Sequence, residues 1–128
     1  MRCSFVTAIV LVALAGGEAR ADRYDEAMAA AGEVLFRHHC QACHSPDPTA
    51  NAFGPQLHGL VGRAAGTAPR FEYSDALRDS GIVWTEANLR AWLADNDGFI
   101  PGTRMPHVAI TDGAEQDFLL AFIRTLAQ

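Results

Sequence analysis

Apolar residues recur at helical spacing in three stretches of this chain, and no segment alternates apolar and polar positions as a half-buried strand would. From Asp25 to about His39 the composition favours helix, with Ala27, Ala31, Val34 and Leu35 recurring at helical spacing. Thr85 is placed to cap a second helix, with Leu89, Trp92 and Leu93 on its apolar face and Asp95-Asn96-Asp97-Gly98 as its stop. Asp112 and Glu115 form a capping pair for a third, whose apolar stripe of Phe118, Leu119, Phe122, Ile123 and Leu126 runs to the end of the chain. A shorter helix is expected around Ser74 to Arg78. The pattern predicts an all-α architecture of three to five helices.

Between Ser45 and Pro69 the pattern breaks down. Pro46, Pro48, Gly54, Pro55, Gly59, Gly62, Gly66 and Pro69 forbid a long helix or a regular strand there. So long an irregular stretch is unusual in a compact domain unless something other than the chain helps to fill the core. The first residues read differently again. Met1-Arg2 is basic, Phe5 to Ala15 is apolar or small apart from Thr7, and Ala19-Arg20-Ala21 has the small-x-small form of a signal-peptidase site. The apolar run is too short to span a bilayer. Residues 1–21 are therefore expected to be a cleaved secretory signal, Cys3 included, leaving a single domain of 107 residues, 22–128.

Charge narrows the classes of function. The chain has no lysine, and loss of Arg2, Arg20 and Glu18 with the signal leaves 8 arginines against 14 acids, a net charge of −6. Nucleic acid needs a basic footprint, so it is not an expected partner. Electrostatic docking on anionic lipid is disfavoured for the same reason, and no stable membrane insertion is expected.

The chemistry sits at Cys40-Gln41-Ala42-Cys43-His44. This spacing reads as attachment of a c-type haem, because thiols one helical turn apart can each add to one of two neighbouring vinyl groups. The histidine that follows then lies under the iron, where a neutral imidazole nitrogen is a good ligand. Half of a zinc site is the alternative, but residues 22–128 hold no second cysteine pair to complete it. A redox dithiol would belong in a βαβ pattern, which is absent. Haem attachment requires reduced thiols outside the bacterial inner membrane, which together with the signal predicts the periplasm.

A second axial ligand is sought largely by elimination. Met28 lies in the first helix at a packing position, while His38 and His39 adjoin Cys40 and are held on the attachment side. His58 follows His44 too closely to be the easy choice. Met105 and His107 remain, and Met105 is favoured because Pro101-Gly102 and Pro106 restrict its loop.

These segments together resemble a mitochondrial-type, class I cytochrome c of bacterial origin, small, soluble and monohaem. The resemblance spans about Gly32 to Leu126. It rests on Gly32-Glu33-Val34-Leu35-Phe36 before the cysteine motif, Gly54 to Arg63, Phe71 to Ala76, Gly81-Ile82-Val83-Trp84, and Ile100 to Met105. It implies the class I fold, helices wrapped around one haem c with long irregular loops. By resemblance, Cys40 and Cys43 carry the thioethers and His44 and Met105 bind iron. The Pro55 carbonyl accepts the outer N–H of His44. Arg63, Tyr73 and Trp84 meet the haem propionates, Thr103 pins the methionine loop, and Gly32 and Phe36 pack on Leu119 and Phe122. Trp92 and Leu77 depart from the family pattern by replacing a tyrosine and an asparagine, and Asp97 and Gly98 lie where lysines are usual.

The expected function is that of a periplasmic one-electron carrier, not an enzyme, shuttling between respiratory or photosynthetic complexes. It would be a monomer that docks transiently on redox protein partners. A dedicated acceptor for one periplasmic dehydrogenase is the alternative. A haem sensor or peroxidase-like enzyme with a labile methionine belongs to a different class.

Overall fold

The computed structural model describes residues 6–106 and 108–126, with side chains from residue 17. The described helices are α1 (Val6–His39), α2 (Asp75–Arg78), α3 (Glu86–Ala94), α4 (Asn96–Phe99) and α5 (Gly113–Thr125). The described residues form no strand, only one isolated antiparallel bridge between Ala64 and Val83.

The helix ends follow local chemistry. Ser74, Thr85 and Asp112 cap α2, α3 and α5, each side chain accepting a main-chain N–H of the first turn. Arg37, His38 and His39 occupy the last turn of α1, where positive charge suits the helix dipole. One expectation is corrected, and another, the stop of α3 after Ala94, is extended. α1 does not start at Asp25 but runs unbroken from Val6, because the alanine-rich stretch upstream contains no helix-breaking proline. Cleavage after Ala21 would shorten α1 to Asp22–His39. The Asp95-to-Gly98 stop also coils into α4, since the Asp95 side chain accepts the Gly98 N–H and caps a new turn.

α1 and α5 cross to make the main helix–helix contact. Gly32 and Phe36 supply the α1 side, and the Phe36 and Phe122 rings lie 5.1 Å apart. Val34, read as part of the apolar stripe, is 56% exposed, because α5 lies on the Gly32/Phe36 side of the helix. From Gly17 to Ala27 every residue of α1 is exposed.

Two clusters make up the core. Phe36, Leu93, Ile110, Leu119 and Phe122 gather at the α1–α5 crossing. Tyr73, Leu77, Trp84, Leu89 and Trp92 form the other, with the tryptophan rings edge to face at 5.2 Å. The irregular segment is tied in by main-chain bonds from Gly62 N to Trp84 O, Trp84 N to Arg63 O and Ala65 N to Ile82 O. Gly66, at φ +74°, brings its backbone so close to Arg78 that a Cβ would lie 2.8 Å from the Arg78 Cα.

Candidate cofactor site

After α1 the chain makes one further turn, with Cys40 N and Gln41 N bonding to Phe36 O, and Cys43 N and His44 N to Cys40 O. The cysteine motif is thereby coiled onto the helix end, which brings both thiols and the imidazole to the wall of one cavity. That cavity holds about 610 Å³, within the roughly 300–1,000 Å³ common for cofactor sites.

His44 is 7% exposed. Its Nδ1 donates to the Pro55 carbonyl at 2.8 Å. A carbonyl only accepts, so this bond fixes the tautomer and leaves Nε2 with its lone pair. Burial holds the imidazole pKa below its ordinary value, with the Pro55 bond opposing. Gly54 makes the approach possible, since a Cβ there would lie 2.7 Å from His44 Cε1. Gly54 N donates to Cys43 O at 2.7 Å, locking the loop across the motif. The Cys40 thiol is pushed up to about 11, first by burial and then by neighbouring Cys43.

The remaining residues singled out from sequence reach the same cavity. Met105, Thr103, Arg63, Tyr73 and Trp84 line it together with Leu77 and Trp92. Arg63 is braced by the carbonyls of His58 at 2.8 Å and Gln56 at 3.2 Å. Burial raises the Tyr73 phenol above its ordinary value, partly offset by the Arg63 charge. Thr103 Oγ1 accepts from Met105 N at 3.5 Å, a long contact. His38 and His39 are exposed on the end of α1, and His107 lies outside the described residues.

One residue of the methionine loop's support was read only as part of a helix stop. Asn96 is fully buried, and its Nδ2 donates to Met105 O at 2.7 Å. Nothing local marks that contact, since the two residues meet only when α4 folds against the loop.

A covalently held, mainly apolar prosthetic group fits these residues. The wall is apolar apart from a few placed polar groups, and it carries two thiols, a histidine with a free lone pair and a thioether. Comparison with known proteins agrees. The cytochrome c family matches over residues 29–127. The cytochrome c2 of Blastochloris viridis is 44% identical over 97 residues, 75% of this chain and 76% of that protein. The cytochrome c-550 of Bradyrhizobium diazoefficiens is 44% identical over 96 residues, 74% and 70% respectively. The cytochrome c 2.1 of Caenorhabditis elegans is 37% identical over 92 residues, 72% and 83%. The chain belongs to the cytochrome c family, as a class I c-type cytochrome of the bacterial type. It carries one covalent haem c, with Cys40 and Cys43 at the attachment spacing, and it is an electron carrier. Among the described residues, no helix is long and apolar enough to cross a membrane.

Proposed function

We propose that this protein is a periplasmic one-electron shuttle whose haem is attached through Cys40 and Cys43 and held axially by His44 and Met105. One observation carries the reading: a single cavity gathers both cysteines, Met105, and a His44 whose Nδ1 is already engaged by Pro55. When bound, the haem iron supplies the redox chemistry by alternating between its ferrous and ferric states. The chain's own residues set the conditions. His44 presents a fixed, neutral nitrogen. Met105 presents a soft thioether, which together with the apolar wall favours the less charged ferrous state and raises the potential. Arg63, Tyr73 and Trp84 are the polar groups that would meet the two haem carboxylates, with Arg63 held by the His58 and Gln56 carbonyls. Thr103 would help to pin the methionine loop. With His44 and Met105 both bound to the iron, no open position would be left on it for a substrate. The signal-like amino terminus supports the periplasmic address.

Visible and near-infrared spectra of the ferric protein test the ligation. Wild type should show the weak near-red charge-transfer band of methionine sulfur on iron, and Met105→Ala should abolish it while the haem stays attached. An unchanged band in that variant would move the ligand elsewhere. Immediate binding of carbon monoxide by the ferrous wild type would favour the sensor reading instead.

A further inference from the structure

We propose that Asn96 is the positioning residue of the methionine loop, its buried carboxamide holding Met105 by the main-chain carbonyl. The inference rests on the reading of Met105 as the second axial ligand. Asn96 is 0% exposed. A buried amide is costly unless it is hydrogen-bonded, so its placement demands partners. Its Nδ2 lies 2.7 Å from Met105 O and 3.5 Å from Pro106 O.

Among the described residues, few other bonds hold the loop there. Pro106 has no N–H to donate. Among the described residues, main-chain bonds anchor the loop at Thr103 N to Ile100 O and next at Ile110 N to Leu93 O, with none between. The Thr103 hydroxyl contact with Met105 N, at 3.5 Å, is at the limit of a hydrogen bond. Asn96 itself is firmly placed. It opens α4, which Asp95 caps through the Gly98 N–H at 2.9 Å and Asp97 ties to the Gly102 N–H at 3.3 Å. A rigid donor thus meets the backbone of the residue whose thioether must stay against the cofactor. Without that donor the loop gains freedom, and the thioether leaves its position more often.

Two variants of the holo-protein test this. Asn96→Leu keeps the approximate size but removes the donor, and it should weaken the near-red band and speed cyanide binding to the ferric protein by about tenfold, the factor expected for one ordinary hydrogen bond. Asn96→Asp keeps the shape, and its protonated carboxyl can donate as the amide did. Its near-red band should therefore persist at acid pH and fade as the buried carboxyl ionises, above the ordinary carboxylate range. Wild type should show no such pH step. In unaltered holo-protein, nuclear magnetic resonance should find an Asn96 side-chain amide proton that is slow to exchange and coupled across the hydrogen bond to the Met105 carbonyl. A freely exchanging amide, or Asn96→Leu with the wild-type band and cyanide rate, would overturn the proposal. Met105→Ala separates the two readings. If it loses the band while Asn96→Leu behaves as wild type, the ligand stands and the lock fails. If it keeps the band, the ligand assignment fails and the lock with it.

Discussion

Gly32 is where the fold should be most sensitive to a single methyl group. A Cβ built there would lie 1.9 Å from the Phe118 carbonyl oxygen and 2.9 Å from the Phe122 Cβ. Real Cβ contacts stay beyond 3.0 Å, so Gly32→Ala must drive α1 and α5 apart by about 1 Å or more along that line. The obstacle is backbone and cannot rotate away. Separation also loosens the Phe36–Phe122 pair, at 5.1 Å between ring centroids, and with it the wall of the cavity that Phe36 and Leu119 line. Alanine gains about 1 kcal/mol of helix propensity over glycine. Overpacking typically costs about 1–3 kcal/mol, and this contact belongs at or above the upper end. The net loss should be about 2 kcal/mol, which for a domain of this size lowers Tm by roughly 8–16 °C. Thermal unfolding of the holo-protein followed by far-ultraviolet circular dichroism measures it. Gly113→Ala is the control, since a Cβ there meets nothing within 4 Å. A Gly32→Ala protein as stable as wild type would refute the reasoning, because propensity would then have outweighed the clash.

Three further outcomes are expected. Tyr73 has its phenol pKa raised by burial, so above its ordinary value of about 10 the unfolded chain releases a proton that the folded state retains. The stability this contributes is present below that pH and lost as pH rises through the folded value. Tyr73→Phe should flatten the decline in denaturant midpoint between neutral and strongly alkaline pH, and an unchanged decline would put its cause elsewhere. Without haem, the 610 Å³ cavity leaves the two clusters without a common core. Protein made without the attachment machinery should therefore show little far-ultraviolet helicity, and native-like helicity would contradict this. For partner choice, a mature chain with 14 acids, 8 arginines and no lysine should donate slowly to an oxidase that presents an acidic docking face. Stopped-flow oxidation across a salt series should show a rate that is flat or rising. A fast rate that falls steeply with salt would mean that Arg104, on the cavity rim, outweighs the bulk charge.

Much of this protein was legible before folding, and the legible parts are those whose physics is local. Thr85 and Asp112 cap their helices because a side-chain oxygen and an N–H two or three residues on meet whatever lies around them. Leu119, Phe122, Ile123 and Leu126 of the predicted stripe are buried, with Phe118 half-buried, because helical periodicity brings those residues toward one side of α5. The cysteine motif needs only one turn of chain to bring its thiols and imidazole together. Pro55 was named as the partner of His44 through resemblance, and its carbonyl lies where that resemblance implied.

What the tertiary structure decided depends on which surfaces meet. Periodicity placed Val34 with the apolar positions of α1, but burial goes to the side that α5 covers, and Gly32 lets α5 come closest there. Asp95 to Gly98 read as an end to α3. Only the packed fold turns that stretch into α4 and buries Asn96 beneath a loop nine residues away in sequence. A polar residue among aspartates looks like surface in a linear pattern. It becomes an interior donor because the methionine loop closes over it and offers the Met105 carbonyl.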